Sequence, residues 1–136
     1  MQKVRMNKSI EFHDSTLSKI TQDHETIVLH FDKAYIHQSE GIPGIDNGTG
    51  WVQSIDIQLS QAKINFLPKN MPIDLYTGYF ILDNKKIDNV IDLPLNSCGN
   101  IKIGFTTNFN EEIVISAKSI SSIEKSELEF IENFFV

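Results

Sequence analysis

Residues 101–118 read IKIGFTTNFNEEIVISAK. Ile101, Ile103 and Phe105 alternate with Lys102, Gly104 and Thr106, and Ile113, Ile115 and Ala117 alternate with Val114, Ser116 and Lys118. A period of two with one apolar side is the pattern of antiparallel strands packed on one face and wet on the other. Asn108-Phe109-Asn110-Glu111 supplies turn residues between the two runs, so the stretch predicts a β-hairpin.

The same alternation extends outward from this hairpin. Ile27, Leu29 and Phe31 share one parity, as do Ile55, Ile57 and Leu59, and Tyr76, Gly78, Phe80 and Leu82. Gln22-Asp23-His24-Glu25 and Asp83-Asn84-Lys85-Lys86 fall between runs as turns. Twenty Ile and nine Phe dominate the apolar set, and these side chains suit a pleated surface better than a helix. The reading is all-β: one antiparallel β-sandwich or small β-barrel of about eight strands. With 136 residues and no linker, repeat or low-complexity stretch, residues 1–136 form a single domain, with 1–8 expected as a frayed basic tail.

Two segments resist this reading. Residues 38–50, QSEGIPGIDNGTG, hold four of the seven glycines and read as a long exposed loop. Residues 121–136 fit two patterns. Ser121 and Glu124 match a helix capping box, with Leu128, Ile131 and Phe135 at helical spacing, whereas Leu128, Phe130, Glu132 and Phe134 alternate as a strand. The strand is favoured.

Eighteen acidic residues face twelve basic ones, a net charge of −6. Setting aside Lys3, Arg5 and Lys8 leaves eighteen acids against nine bases in the body of the chain. Such a surface repels phosphate backbones, which argues against nucleic-acid binding, and attracts a basic protein. The single cysteine, Cys98, cannot form an internal disulfide, the basic start lacks an apolar signal region, and no run is long enough for a membrane span. A cytoplasmic protein is expected.

No motif announces chemistry. His13, His24, His30 and His37 show no zinc-ligand spacing, and His30 and His37 are expected on different strands. His13 and Asp14 are neighbours, so on a regular strand they point to opposite faces. Gly44, Gly48 and Gly50 lack the Lys-Ser/Thr ending and the helix of a phosphate loop. No catalytic residue, metal or cofactor is expected. The candidates for partner binding are Glu40, Asp46 and Trp51 on the long loop, then Asp83 and Asp88 at turns. The alternative is a small-molecule carrier of lipocalin-like type, a β-barrel with Trp51, Tyr76 and Phe80 lining its interior.

Ile10-Glu11-Phe12-His13-Asp14-Ser15-Thr16-Leu17, followed by Val28-Leu29-His30-Phe31-Asp32, resembles the opening of small bacterial proteins with an "FHDS" start. Gly41-Ile42-Pro43-Gly44, Gly50-Trp51, Leu93-Pro94 and Phe130-Ile131-Glu132-Asn133-Phe134 continue that resemblance over most of the chain. Some of those proteins look like immunity proteins of polymorphic or contact-dependent growth inhibition toxins. The resemblance implies a protein that binds a cognate, basic nuclease toxin and occludes its active site, over roughly 1,200–2,000 Å². It carries over no catalytic residue.

Overall fold

The computed structural model describes residues 6–136, which form strands and turns with no helix. Ten strands follow one another: β1 (Asn7–Asp23), β2 (Thr26–Ser39), β3 (Gly48–Ser60), β4 (Lys63–Ile64), β5 (Ile73–Leu82), β6 (Lys85–Asp88), β7 (Val90–Leu93), β8 (Asn96–Thr107), β9 (Glu112–Glu124) and β10 (Glu129–Phe134). Every pairing is antiparallel. Six of the strands close a ring in the order β1-β2-β3-β9-β8-β5, because β3 pairs β9 and β5 pairs β1. Of the two expected architectures, the protein is the barrel. The remaining strands are short additions: β10 pairs β3, β4 pairs β9, β6 pairs β5 and β7 pairs β1.

The ring is filled. Phe105 of β8 meets Phe12 of β1 edge-on at 5.1 Å and Phe31 of β2 at 6.4 Å. Ile27, Leu29, Ile55, Ile57, Leu59, Ile103, Ile113 and Ile115 are all fully buried around them. Each such side chain contributes roughly 1.5–3 kcal/mol on burial.

The predicted hairpin is β8–β9, with Phe105 opposite Ile113 and residues 108–111 as its turn. Asp83 and Asn84 form the two-residue turn between β5 and β6, both at positive φ (49° and 71°), as a tight hairpin turn requires. The C-terminal segment is β10, but Ser121–Glu124 belongs to the end of β9, so the helix-cap pattern there has no helix to cap.

Several expectations need correction. The loop is shorter than residues 38–50: β2 runs through Ser39 and β3 begins at Gly48. Gly48 and Gly50 are strand residues, present for close approach and not for flexibility. A Cβ on Gly48 would strike the Gln38 carbonyl, and one on Gly50 the Tyr35 hydroxyl. Lys8 is no part of a frayed tail, since it is paired in β1 and its Nζ lies 2.8 Å from Glu124 Oε1. Lys3 and Arg5 lie outside the described residues. His30 and His37 share β2.

Three bulges explain why simple alternation misplaces some side chains. Inside β1 the buried parity changes from Ile10 and Phe12 to Ser15 and Leu17, across register shifts and an Asp14 at φ 77°. Inside β2 the buried Ile27, Leu29 and Phe31 give way to Ala34 and Ile36 across a shift between Phe31 and Ala34. In β5 a shift between Leu75 and Thr77 leaves Tyr76 half exposed while Phe80 stays in the core. A bulge inserts a residue and re-aims everything beyond it.

Candidate functional site

The β1 bulge is made by the Phe12-His13-Asp14-Ser15 segment, and its parts are individually legible. Phe12 enters the core. Asp14 takes the left-handed φ that a short polar side chain tolerates. Ser15 is buried, donating to the Glu11 carbonyl at 2.5 Å and accepting from the Tyr35 N–H at 2.9 Å, so the kink is stapled to β2. Because of the kink, His13 and Asp14 do not point apart: His13 Nε2 is 3.6 Å from Asp14 Oδ1.

Asn89, at φ 65°, anchors the same segment from the β6–β7 turn. It accepts from the Phe12 N–H through its backbone carbonyl (2.8 Å) and from the His13 N–H through its side chain (2.9 Å). Its side-chain amide donates to Glu11 Oε1 at 3.2 Å. The other Glu11 oxygen lies 2.6 Å from His37 Nε2. The hydrogen bond to His37, its nearby charge and the Asn89 amide hold the Glu11 carboxyl below its ordinary range, against the opposing effect of partial burial.

Beyond the β2 bulge, Tyr35 and His37 lie on the side away from Ala34 and Ile36. Tyr35 donates its hydroxyl to Glu132 Oε1 at 2.5 Å, and burial, then that bond and the Glu132 charge, push its ionisation well above the ordinary tyrosine range. Tyr35, His37 and Phe134 stack edge to face, with centroids 5.0 and 5.4 Å apart. These contacts span three strands, from β2 across β3 to β10. They are possible because β3 carries glycine where they cross: Gly50 opposes both His37 and Glu132, and Gly48 opposes Phe134.

The loop of residues 40–47 borders this trough and is tied down along its length. Asp46 Oδ2 accepts from the Ile42 N–H at 2.6 Å, and Ser39 donates to the Asn47 carbonyl at 2.7 Å. Asn7 donates its side-chain amide to the Gly41 carbonyl at 2.7 Å. The result is a cleft of about 460 Å³ between β1, β2, β7, β10 and the loop. Among the described residues, five carboxylates line it (Glu11, Asp14, Asp88, Asp92 and Glu132) and no lysine or arginine does. Ile42 and Ile45, at its edge, are 57% and 63% exposed.

This arrangement suits a cation. An ammonium or guanidinium group entering it would meet carboxylate oxygens, although Glu11 already faces His37 and Asn89, and Glu132 and Asp92 each accept one hydroxyl, from Tyr35 and Ser9. It is poorly arranged for acid–base catalysis. His37 is 7% exposed, its Nε2 faces Glu11, and Tyr35 and Phe134 pack against the ring. Gly44 lies close enough that a Cβ there would sit 3.7 Å from His37 Cδ2. No three His, Cys, Asp or Glu among the described residues are placed to hold one metal ion.

Of the partner-binding candidates read from sequence, only Asp88 lines the cleft. Glu40 is exposed at the start of the loop, and Asp46 is spent on the loop's own backbone. Trp51 is partly buried on β3, donating to Thr49 Oγ1 and meeting Phe130 edge-on at 5.3 Å. Asp83 sits at the β5–β6 turn, accepting from the Asn100 N–H at 2.8 Å. Trp51, Tyr76 and Phe80 do not converge on an interior cavity: Phe80 is core, Tyr76 is half exposed, and Trp51 packs on Phe130.

Glu11, Glu132 and Tyr35 were not expected as contacts, and Asp14 and His37 were weighed only as acid–base or metal-ligand candidates. For Asp14 the signal was present, as an acid at the position where the parity of Ile10 and Phe12 calls for an apolar residue, whereas Glu11 is the ordinary polar member of that alternation. No family model, curated protein or solved structure matches the chain.

Proposed function

We propose that this chain is an immunity-type inhibitor, which binds a basic toxin domain and blocks it without making or breaking a covalent bond. The observation that carries the reading is the cleft in which five carboxylates converge, with no lysine or arginine among the described residues that line it. A basic side chain of the partner enters that cleft, while Ile42 and Ile45 supply apolar contact at its rim. Complementary charge speeds docking and selects the partner, and apolar contact beside it adds hold. The net charge of −6 favours approach of a cationic partner from a distance. The closed surroundings of His37 favour binding over catalysis. The resemblance to immunity proteins through the FHDS segment adds support, because in this chain that segment is the bulge that brings Glu11 and Asp14 to the cleft.

The test is direct. The product of the neighbouring gene is purified, assayed for nuclease activity, and measured again with the native protein and with an Asp88→Lys/Asp92→Lys variant. Inhibition by the native protein that is lost in the variant is expected. Full toxin activity in the presence of excess native protein would sink the proposal.

A further inference from the structure

On the barrel wall formed by β8 and β9 the charge is reversed. Ile81 of β5, Lys102 of β8, Ser116 of β9 and Lys63 of β4 are successive cross-strand partners, forming one row over four strands. Further along stand Lys118 of β9 and Asn100, which lies at a register shift of β8 between Cys98 and Ile101; the two are joined by a 2.6 Å hydrogen bond from Lys118 Nζ to Asn100 Oδ1. Gln61 and Asn84, both at positive φ, complete a concavity of about 520 Å³.

Its chemistry is one-sided. Three lysines line it and no carboxylate does. Among the described residues, none of Lys63, Lys102 and Lys118 has a carboxylate oxygen within 4.0 Å. Like charges on adjacent strands repel, and in a chain with eighteen acids nothing prevents a neutralising partner from standing nearby. A lysine on a two-residue edge strand also guards against unwanted strand pairing. That accounts for Lys63 but not for Lys102 and Lys118, which sit on strands paired on both sides. The Lys118 bond occupies the Asn100 carbonyl oxygen, so the amide group that remains free is a donor. Ile81, partly buried, gives the same concavity a small apolar floor, while Ile101 and Ala117, each 4% exposed, turn into the core beneath it.

The geometry points to a binding site for a small organic phosphate: the phosphate among the lysines and amide donors, the organic body on the apolar floor. The volume lies in the range of small-molecule sites, and multiple point charges suit a multiply charged anion. This site is independent of the acidic cleft and of the function proposed for it.

The test uses adenosine monophosphate as probe, with inorganic phosphate and adenosine as its charged and apolar halves. Titration of the isotopically labelled native protein is followed by amide NMR. Adenosine monophosphate is expected to move the amides of residues 100–102 and 116–118, and to bind more tightly than either half. Lys102→Ala/Lys118→Ala, both exposed positions that leave the core intact, is expected to weaken binding about tenfold or more. Asp88→Asn is expected to leave it unchanged. No shift in those amides, equal affinity for inorganic phosphate alone, or undiminished binding by the double-lysine variant would each overturn the inference.

Discussion

The two concavities stand on walls of the barrel that do not adjoin. β1 and β2 carry the acidic one, β8 and β9 the basic one, and β3 and β5 separate them on either side. They are built by different means. The basic wall is regular through Lys102, Ser116 and Lys63, with one register shift in β8 between Cys98 and Ile101, and its lysines are the outward members of an alternation. The acidic wall is irregular: bulges in β1 and β2, left-handed residues at Asp14 and Asn89, and glycines in β3 bring together side chains that a regular sheet would separate. A flat run of strands can present a patch of charge. A lined cleft needs departures from regularity.

The comparison breaks most severely where the walls are joined. Phe105 belongs to β8 and packs on Phe12 and Phe31 of the other side. Phe105→Ala is expected to cost about 3–5 kcal/mol in urea denaturation and to weaken binding at both concavities. If one site survives intact, the walls are less coupled than the shared aromatic cluster implies.

Charge changes should separate the walls cleanly. Asp88→Lys/Asp92→Lys is expected to lower affinity for a basic protein partner by about a hundredfold, with Lys102→Glu/Lys118→Glu changing it by no more than about twofold. Calorimetric titration at low and moderate salt measures both. Equal effects would mean that net charge, and not the cleft, governs recognition.

A subtler contrast lies in two glycines. A Cβ at Gly50 would collide with the hydroxyl of Tyr35, and one at Gly104 with the ring of Tyr79. Gly50→Ala is expected to destabilise by about 1–3 kcal/mol and to release Tyr35 from Glu132, bringing its ionisation down toward the ordinary tyrosine value in a spectroscopic titration. Gly104→Ala disturbs the β5–β8 side and should leave the Tyr35 titration where it was.

The smallest effect concerns acid. Glu11 has a lowered carboxyl value in the folded protein, so its ionised form adds stability above the ordinary carboxylate range. That contribution fades as pH falls through the folded-state value. Denaturation midpoints measured between about pH 6 and pH 3 should therefore fall less steeply for Glu11→Gln than for the native protein. Parallel curves would show that the contacts of Glu11 with His37 and Asn89 contribute nothing to folding.

The sequence made the barrel's regular parts readable because period two survives there. Ile27 to Phe31, Ile55 to Leu59 and both arms of the β8–β9 hairpin lie as their alternation implies. The cleft was hidden for the same physical reason. Beyond a bulge the alternation restarts on the opposite parity, so Tyr35 and His37 could not be assigned a face from Leu29 and Phe31. The glycines of β3 were misread because a glycine needed for close approach has the same one-letter appearance as one needed for flexibility. Asp83 and Asp46 had the charge expected of contact residues, but their oxygens are taken up by the Asn100 and Ile42 N–H groups.

Ring closure through β3 and β9 sets an order on events during synthesis. Ile55 pairs with Glu124 and Ser60 with Ser119, so β3 must wait for a strand made long after it. Until β9 emerges from the ribosome, the meander of β1, β2 and β3 has an open edge and an uncovered apolar face, the condition in which nascent chains meet chaperones or one another. The cleft waits longer still, because Glu132 and Phe134 arrive on β10. The chain order therefore supplies every strand of the barrel before the last wall of the acidic cleft.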